Sequence, residues 1–276
     1  METVRDGVEI TAYLVNESRA RQADLSRDWL AADWIPGASR PAVSQLWRDY
    51  AESVYPHDDL VVALRGRCVL DTLGAALRQA PDTVLVVLGA GFSSYPWLLP
   101  FGRSVEVDLP SVILAKQRRA AELRSADRID DRDVTYLPAD LADGRKLREL
   151  GASIEAIADG RPTAVVAEGV VFYLPSDSAQ AIARLGSSIG RGAPTIISYW
   201  PHGTDQHPVL AAQRGWFRRH SVPENAAYHS PADFVADPGE QVQAFGPVEL
   251  QRRYLGAVRV PERSLIPEYT AVVTAR

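Results

Sequence analysis

Two glycines and three carboxylates are spaced to hold a nucleoside. Gly89 and Gly91 stand directly after an apolar run, in the segment VLVVLGAG. Glycine there lets the backbone turn tightly and lets a ligand approach the main chain. Asp108 follows a second short apolar run, at the distance where an acidic side chain accepts ribose hydroxyls. Asp140 follows a third run in LPADL, and Glu168 a fourth in VVAEGVVFYLP. Each falls at the same end of its run, and open α/β sheets bind ligands beyond the carboxyl ends of their strands. A dinucleotide fingerprint would place a third glycine where Ser94 stands, and Pro96 disturbs a helix start close to a pyrophosphate. The expected ligand is a nucleoside without phosphates.

Other reactive side chains are few. His202 follows a fifth run, in SYWPHGTDQHP, and is the candidate general base at the ligand end of the sheet. With Asp205 and His207 it lacks the further ligands a metal site needs, so no metal is expected. Cys68 is the single cysteine, which excludes an internal disulfide and a thiolate cluster. Its surroundings, RCVLDTLGAAL, read as a buried helix around an inert thiol. The two lysines, Lys116 and Lys146, lie in charged helical stretches that read as surface. A Schiff-base lysine needs a desolvated pocket, so pyridoxal phosphate chemistry is not expected.

The elements that must position these residues follow from the hydrophobic pattern. Before residue 78 the chain reads as helices. Trp29, Leu30, Trp34 and Ile35 recur at helical spacing before Pro36-Gly37. Pro41 opens a helix with Val43, Leu46, Trp47, Tyr50 and Val54 on one face, and residues 60–77 form another. From residue 83 short β-branched runs alternate with helical stretches: strands at 83–88, 104–107, 134–137, 163–167 and 195–200, helices at 111–124, 147–158 and 176–189. That alternation predicts a doubly wound α/β domain with a parallel sheet covered on both faces. A helix, a strand at 242–245, a helix at 248–254 and a strand at 269–274 complete it. Residues 1–77 are expected as an N-terminal helical lid or cap, and 78–276 as the ligand-binding domain. Residues 201–240, rich in Pro, His and Asp, are expected as an insertion that shapes the pocket.

Bulk composition bounds the rest. The chain has 276 residues, 46% hydrophobic and 24% charged, which is ordinary for a globular protein. Its net charge of -5 lacks the basic footprint of a nucleic-acid binder. No apolar run approaches the ~20 residues of a membrane helix, and the start lacks a signal-peptide core. A cytoplasmic protein acting on a small molecule is expected, without nucleic-acid or membrane partners. Nothing in the pattern sets an oligomeric state.

Taken together, LRGRCVLDTLGAAL, VLVVLGAGFSS, VEVDLPSVILAKQR, LPADL and VVAEGVVFYLP resemble the leucine carboxyl methyltransferase-like group of class I S-adenosylmethionine (SAM) enzymes, which includes the tetracenomycin-type O-methyltransferases. The resemblance implies a Rossmann-like, mostly parallel seven-stranded sheet with its last strand antiparallel, and SAM as cofactor. It implies that Arg65 pairs with the SAM carboxylate and that Gly89 and Gly91 pack on its backbone. Asp108 would hold the ribose, Asp140 and Leu141 would flank the adenine, and Glu168 would lie near the methionine amino group. Relatives show G-x-G-x-D-T-R at the first loop, where this chain has Ser93, Ser94 and Tyr95. The implied activity is methyl transfer to a carboxylate or hydroxyl of a small, natural-product-like acceptor.

A phenol acceptor would benefit from a base, and His202 is the candidate. Tyr13, Tyr95, Trp97, Phe172, Tyr173 and Trp200 are expected at the mouth, where ring faces attract a sulfonium. Tyr173 and Tyr95 join His202 as candidate catalytic residues. The rewritten loop motivates a second activity. A cyclase would consume SAM, release methylthioadenosine and form azetidine-2-carboxylate or 1-aminocyclopropane-1-carboxylate, with Tyr95, Tyr173, Tyr199 and His202 shaping its pocket. A non-catalytic SAM-binding or protein-binding module is the third alternative.

Overall fold

Val84–Leu88 organises the molecule because both of its faces are apolar and all five residues are buried. Leu85 and Val87 pack on one side against Val69, Leu73 and Leu77 of a long helix. Val86 and Leu88 pack on the other side in a cluster with Leu150, Ile154 and Ile182. A strand sandwiched between helices on both faces is what a doubly wound domain requires.

The computed structural model describes residues 8–222, 225 and 227–275. Five helices come first: α1 (Val8–Arg21), α2 (Ala23–Ser26), α3 (Ala31–Trp34), α4 (Arg40–Ser53) and α5 (Asp58–Gln79). Then follow β1 (Val84–Leu88), α6 (Tyr95–Leu98), β2 (Ser104–Asp108), α7 (Pro110–Ser125), β3 (Val134–Pro138), α8 (Gly144–Ala158), β4 (Thr163–Ala167), α9 (Ser176–Gly190), β5 (Thr195–Pro201), α10 (Pro208–Arg219), β6 (Tyr228–His229), β7 (Glu240–Phe245), α11 (Pro247–Leu255) and β8 (Tyr269–Ala275). Residues 1–7 and 276, and 223, 224 and 226 within the expected insertion, lie outside the described residues.

The sheet runs in the order β3-β2-β1-β4-β5-β8-β7. Its first five strands are parallel, and β8 is antiparallel to both β5 and β7. This is the doubly wound, Rossmann-like class that the alternation predicts. One correction applies: among the described residues the sheet has eight strands, not seven. The extra one, β6, pairs with β5 through Trp200 opposite Tyr228 and Pro201 opposite His229. Two residues carry no period-2 pattern, so nothing in the sequence announces it. A second correction concerns Trp29, which is 61% exposed while Leu30, Trp34 and Ile35 are buried. It sits in the turn before the single-turn helix α3 rather than on an apolar helix face.

Helices α1, α4 and α5 share a hydrophobic cluster with the sheet. Ile10, Leu14, Trp47, Tyr50 and Val61 belong with Val86, Val107 and Val165. Of these helices, α1 and α5 bring Arg19 and Arg65 to the residues that follow β1 and β4.

Candidate functional site

The turn after β1 has the backbone its glycines permit. Gly89 has φ +68° and Gly91 φ +45°, a region that side chains rarely adopt. A Cβ on Gly89 would lie 2.5 Å from Cγ2 of Val170. Gly91 N–H donates to Asp108 Oδ2 at 2.7 Å, and Leu109 N–H to Oδ1 at 2.7 Å. Burial pushes the Asp108 carboxyl above its ordinary pKa, and the two backbone donors pull it back. Each carboxylate oxygen still has acceptor capacity for a ribose hydroxyl. Loop and carboxylate line a cavity of ≈ 100 Å³ together with Arg19, Arg65, Tyr95, Glu168 and Tyr173.

Helix α1 lies across this cavity. Asn16 donates to the Phe92 carbonyl at 3.1 Å, and Tyr13 stacks on Phe92 with centroids 4.8 Å apart. Arg19, near the end of α1, reaches both oxygens of Glu168 at 2.6 and 2.7 Å. It also donates to the Tyr95 hydroxyl at 3.1 Å and to Asp28 at 3.3 Å. Arg65 on α5 donates to Glu168 Oε1 at 2.7 Å and, through Nη1, to Glu268. Tyr95 donates its hydroxyl proton to Glu168 Oε2. Burial would raise the Glu168 pKa, but the guanidinium groups of Arg19 and Arg65 overcome it and hold it at about 2. Two glycines make the room. A Cβ on Gly66 would lie 3.2 Å from Arg19 Nε, and one on Gly169, at φ +65°, 3.4 Å from Arg65 Nη2.

The rewritten loop is tied into this arrangement. Ser93 Oγ accepts from Lys116 at 3.3 Å, and Ser94 Oγ accepts from Trp34 Nε1 at 3.0 Å. Lys116 is not on the surface, as its sequence context predicts, but fully buried. It pairs with Glu106 at 2.6 Å and lies 5.4 Å from the Trp34 ring centroid. Burial pushes Lys116 down and Glu106 up, and contact between the two opposes it. A desolvated lysine removes the ground given for excluding Schiff-base chemistry, yet Lys116 does not line the cavity. Lys146 is exposed as expected. Cys68 is buried, and burial pushes its thiol up to about 11.

The predicted residues thus separate into two groups. Arg65, Gly89, Gly91, Asp108, Glu168, Tyr95 and Tyr173 line one cavity. Asp140 and Leu141 do not: Asp140 is exposed and caps its own turn by accepting from Ala142 N–H, and Leu141 is buried in the core. His202 is also elsewhere. Its side chain is 66% exposed and sits 3.7 Å from Asp233, because its backbone pairs with His229 of β6. Trp97 and Trp200 are core rather than mouth: Trp97 packs on Trp34, and Trp200 stacks on Phe172. Tyr199 packs between Phe234 and Tyr269. Among the described residues no group of three or more His, Cys, Asp and Glu is arranged to hold a metal ion. Among them, too, no helix is long and apolar enough to cross a membrane.

A second cavity, of ≈ 50 Å³, abuts the first and shares Thr11, Val15, Arg65, Gly169 and Tyr173 with it. Asp58, Glu268, Tyr50 and Gln213 are among its other lining residues. Burial pushes the Tyr173 hydroxyl up to about 12, so it is a proton donor near neutrality. Sequence reasoning missed Arg19, Asp58 and Glu268. The available signal was Gly66. Glycine inside a long helix costs roughly 1 kcal/mol against alanine, and it marks a close approach.

With this geometry in place, likeness to known proteins is informative. The leucine carboxyl methyltransferase family matches residues 9–185. A Mycolicibacterium smegmatis protein named for SAM-dependent methyl transfer is 32% identical over 135 residues, 48% of this chain and 41% of that protein. One from Mycolicibacterium gilvum is 29% identical over 139 residues, 49% and 42% of the two chains. The aligned region therefore spans about two fifths of the length of these relatives. Two solved structures share the fold. A DUF574 family protein from Streptomyces avermitilis has a TM-score of 0.61 at 16% identity, over 86% of this chain and 91% of that one. A methyltransferase-named protein from Thermobifida fusca has 0.60 at 14%, over 100% and 97%.

Proposed function

The chain belongs to the leucine carboxyl methyltransferase family, and from that premise we propose that it transfers a methyl group from SAM to a small acceptor. The observation that carries the reading is Asp108, whose carboxylate is fixed by Gly91 and Leu109 N–H groups at the rim of the glycine cavity. The residues present fit the cofactor. A glycine loop permits close approach, a carboxylate suits ribose hydroxyls, and Arg65 suits a carboxylate through its planar fork. The cofactor supplies the activated methyl carbon; the protein supplies alignment and exclusion of water. Helix α1, seated on the loop, provides that exclusion. Arg19 and Arg65 hold Glu168 ionised and fixed, so the methionine end meets a rigid, charged wall. Both Glu168 oxygens are already taken by these donors, so an amino group there must share them.

Of the two oxygen acceptors, the hydroxyl suits the site better. The cavity beyond Arg65 carries Asp58 and Glu268, and Arg65 is already paired with Glu168 and Glu268. A carboxylate acceptor would add a further buried anion, at a cost of several kcal/mol unless it is paired. Glu268, whose pKa burial pushes up, is a carboxylate of the right kind to take a hydroxyl proton in place of the distant His202. The experiment is purified protein with SAM, first alone and then with a panel of small hydroxyl compounds, read by mass spectrometry. SAM is expected to survive alone and to yield S-adenosylhomocysteine only with an acceptor. Methylthioadenosine with a cyclic amino acid would replace this reading by the cyclase. Calorimetry of Asp108→Ala is expected to show no SAM binding; unchanged affinity would remove the nucleoside-site assignment.

A further inference from the structure

The second cavity carries more acid than its cations balance. Around the two cavities Arg19 and Arg65 serve Asp28, Asp58, Glu168 and Glu268. Arg65 contacts Glu168 and Glu268 directly. Asp58 has neutral partners instead: Ser18 Oγ donates to it at 2.6 Å and the Tyr55 hydroxyl at 3.2 Å. It is 7% exposed. Burial pushes the carboxyls of Asp58 and Glu268 up, and the two repel each other. A second observation comes from across the cavity. Gln213 donates to the Tyr50 hydroxyl at 2.9 Å, while its Oε1, shielded from solvent, has no hydrogen-bond partner. A buried acceptor without a donor costs about 1–3 kcal/mol, and an ammonium seated in this cavity would supply one. The third observation is the lining itself: rings of Tyr50, Phe172, Tyr173 and Phe217 face one small enclosure with the carboxylates. Aromatic faces beside buried anions attract an organic cation.

We propose that this cavity is the anchoring site of the acceptor and takes a small protonated amine, held by Asp58 and Gln213 Oε1 against the aromatic rings. The proposal rests on the methyl-transfer reading: the amine sits in the second cavity, and the hydroxyl of the same molecule faces the first across Arg65 and Tyr173. The acceptor class is therefore a hydroxyl-bearing small amine.

Calorimetry decides this, with the full chain and three matched probe series of up to about ten heavy atoms: alkyl- and arylalkylamines, the corresponding alcohols, and the corresponding carboxylates. S-adenosylhomocysteine is titrated separately. Amines are expected to bind at least tenfold tighter than their alcohols, with carboxylates weakest. Asp58→Asn is expected to abolish the preference while S-adenosylhomocysteine affinity stays within about threefold. Equal affinity across the three series, a preference for carboxylates, or an amine preference that survives Asp58→Asn would overturn the proposal. Should Asp58→Asn fail to fold, the wild-type series alone decides. Failure of the cofactor reading is separate: S-adenosylhomocysteine would not bind, whatever the amines do.

Discussion

Under the glycine loop one cation meets one carboxylate; above it two cations serve four. Lys116 and Glu106 are both fully enclosed, and their pair touches the loop through Ala90 and Ser93. Arg19 and Arg65 stand at a cavity, reach across three segments of the chain and leave acid in excess. The first arrangement lines neither cavity and touches the loop, so its work is to hold the loop. The second is charged, faces a cavity and is unbalanced, which suits recognition of a ligand that carries charge of its own. A buried ion pair by itself says little about function; the ratio of cations to anions and the presence of a cavity distinguish the two cases.

The largest effect that tests this division is Lys116→Met. It strands Glu106 in the core, and urea unfolding is expected to show a loss of about 3–5 kcal/mol. Adding Glu106→Leu should restore most of it, since an apolar pair of similar volume replaces a buried ion pair with little loss. If the double variant stays as unstable as the single one, the lower pair is not self-contained. Arg65→Ala comes next, with SAM affinity falling tenfold or more in calorimetry. A hydrogen bond to a charged group contributes about 1.5–3 kcal/mol, and about 1.4 kcal/mol is tenfold. A smaller drop would count against Arg65 as the carboxylate partner.

A third measurement is the acid limb of stability. Glu168 is held at about 2, below the ordinary carboxyl range, so its ionised form is favoured by folding. The stability it contributes is complete above its unfolded pKa, about 4.3–4.5, and is lost as pH falls from there toward about 2. Glu168→Gln should flatten that limb relative to wild type; an identical limb would mean that another group dominates acid unfolding. The smallest expected effect is His202→Ala. Exposed and outside both cavities, it should leave stability within about 0.5 kcal/mol and SAM affinity unchanged. A large loss of turnover would bring His202 back as the base.

The parallel strands were legible because a strand buried on both faces writes a continuous apolar run, and Val84–Leu88 and Thr163–Ala167 do so. Gly89, Gly91 and Asp108 were legible because their place follows from strand ends alone. Lys116 was misread because a charged helix looks solvated until a buried carboxylate such as Glu106 appears on the neighbouring strand. His202 was misplaced because β6, two residues long, redirects the chain after β5. Arg19 meets Glu168 149 residues away, Glu268 meets Arg65 203 residues away and Asp58 meets Ser18 40 residues away, and no local pattern encodes that. For Asp58 the sequence offers only an acidic first turn of α5, which reads as favourable placement near a helix N-terminus.

Helix α1 fastens to the loop through Asn16 and Tyr13 and to Glu168 through Arg19. A molecule seated in the glycine cavity is therefore behind a door whose hinges are an amide, a ring and an ion pair. Loosening any of the three, as in Asn16→Ala, is expected to shorten the residence time of a bound nucleoside, read by stopped-flow displacement.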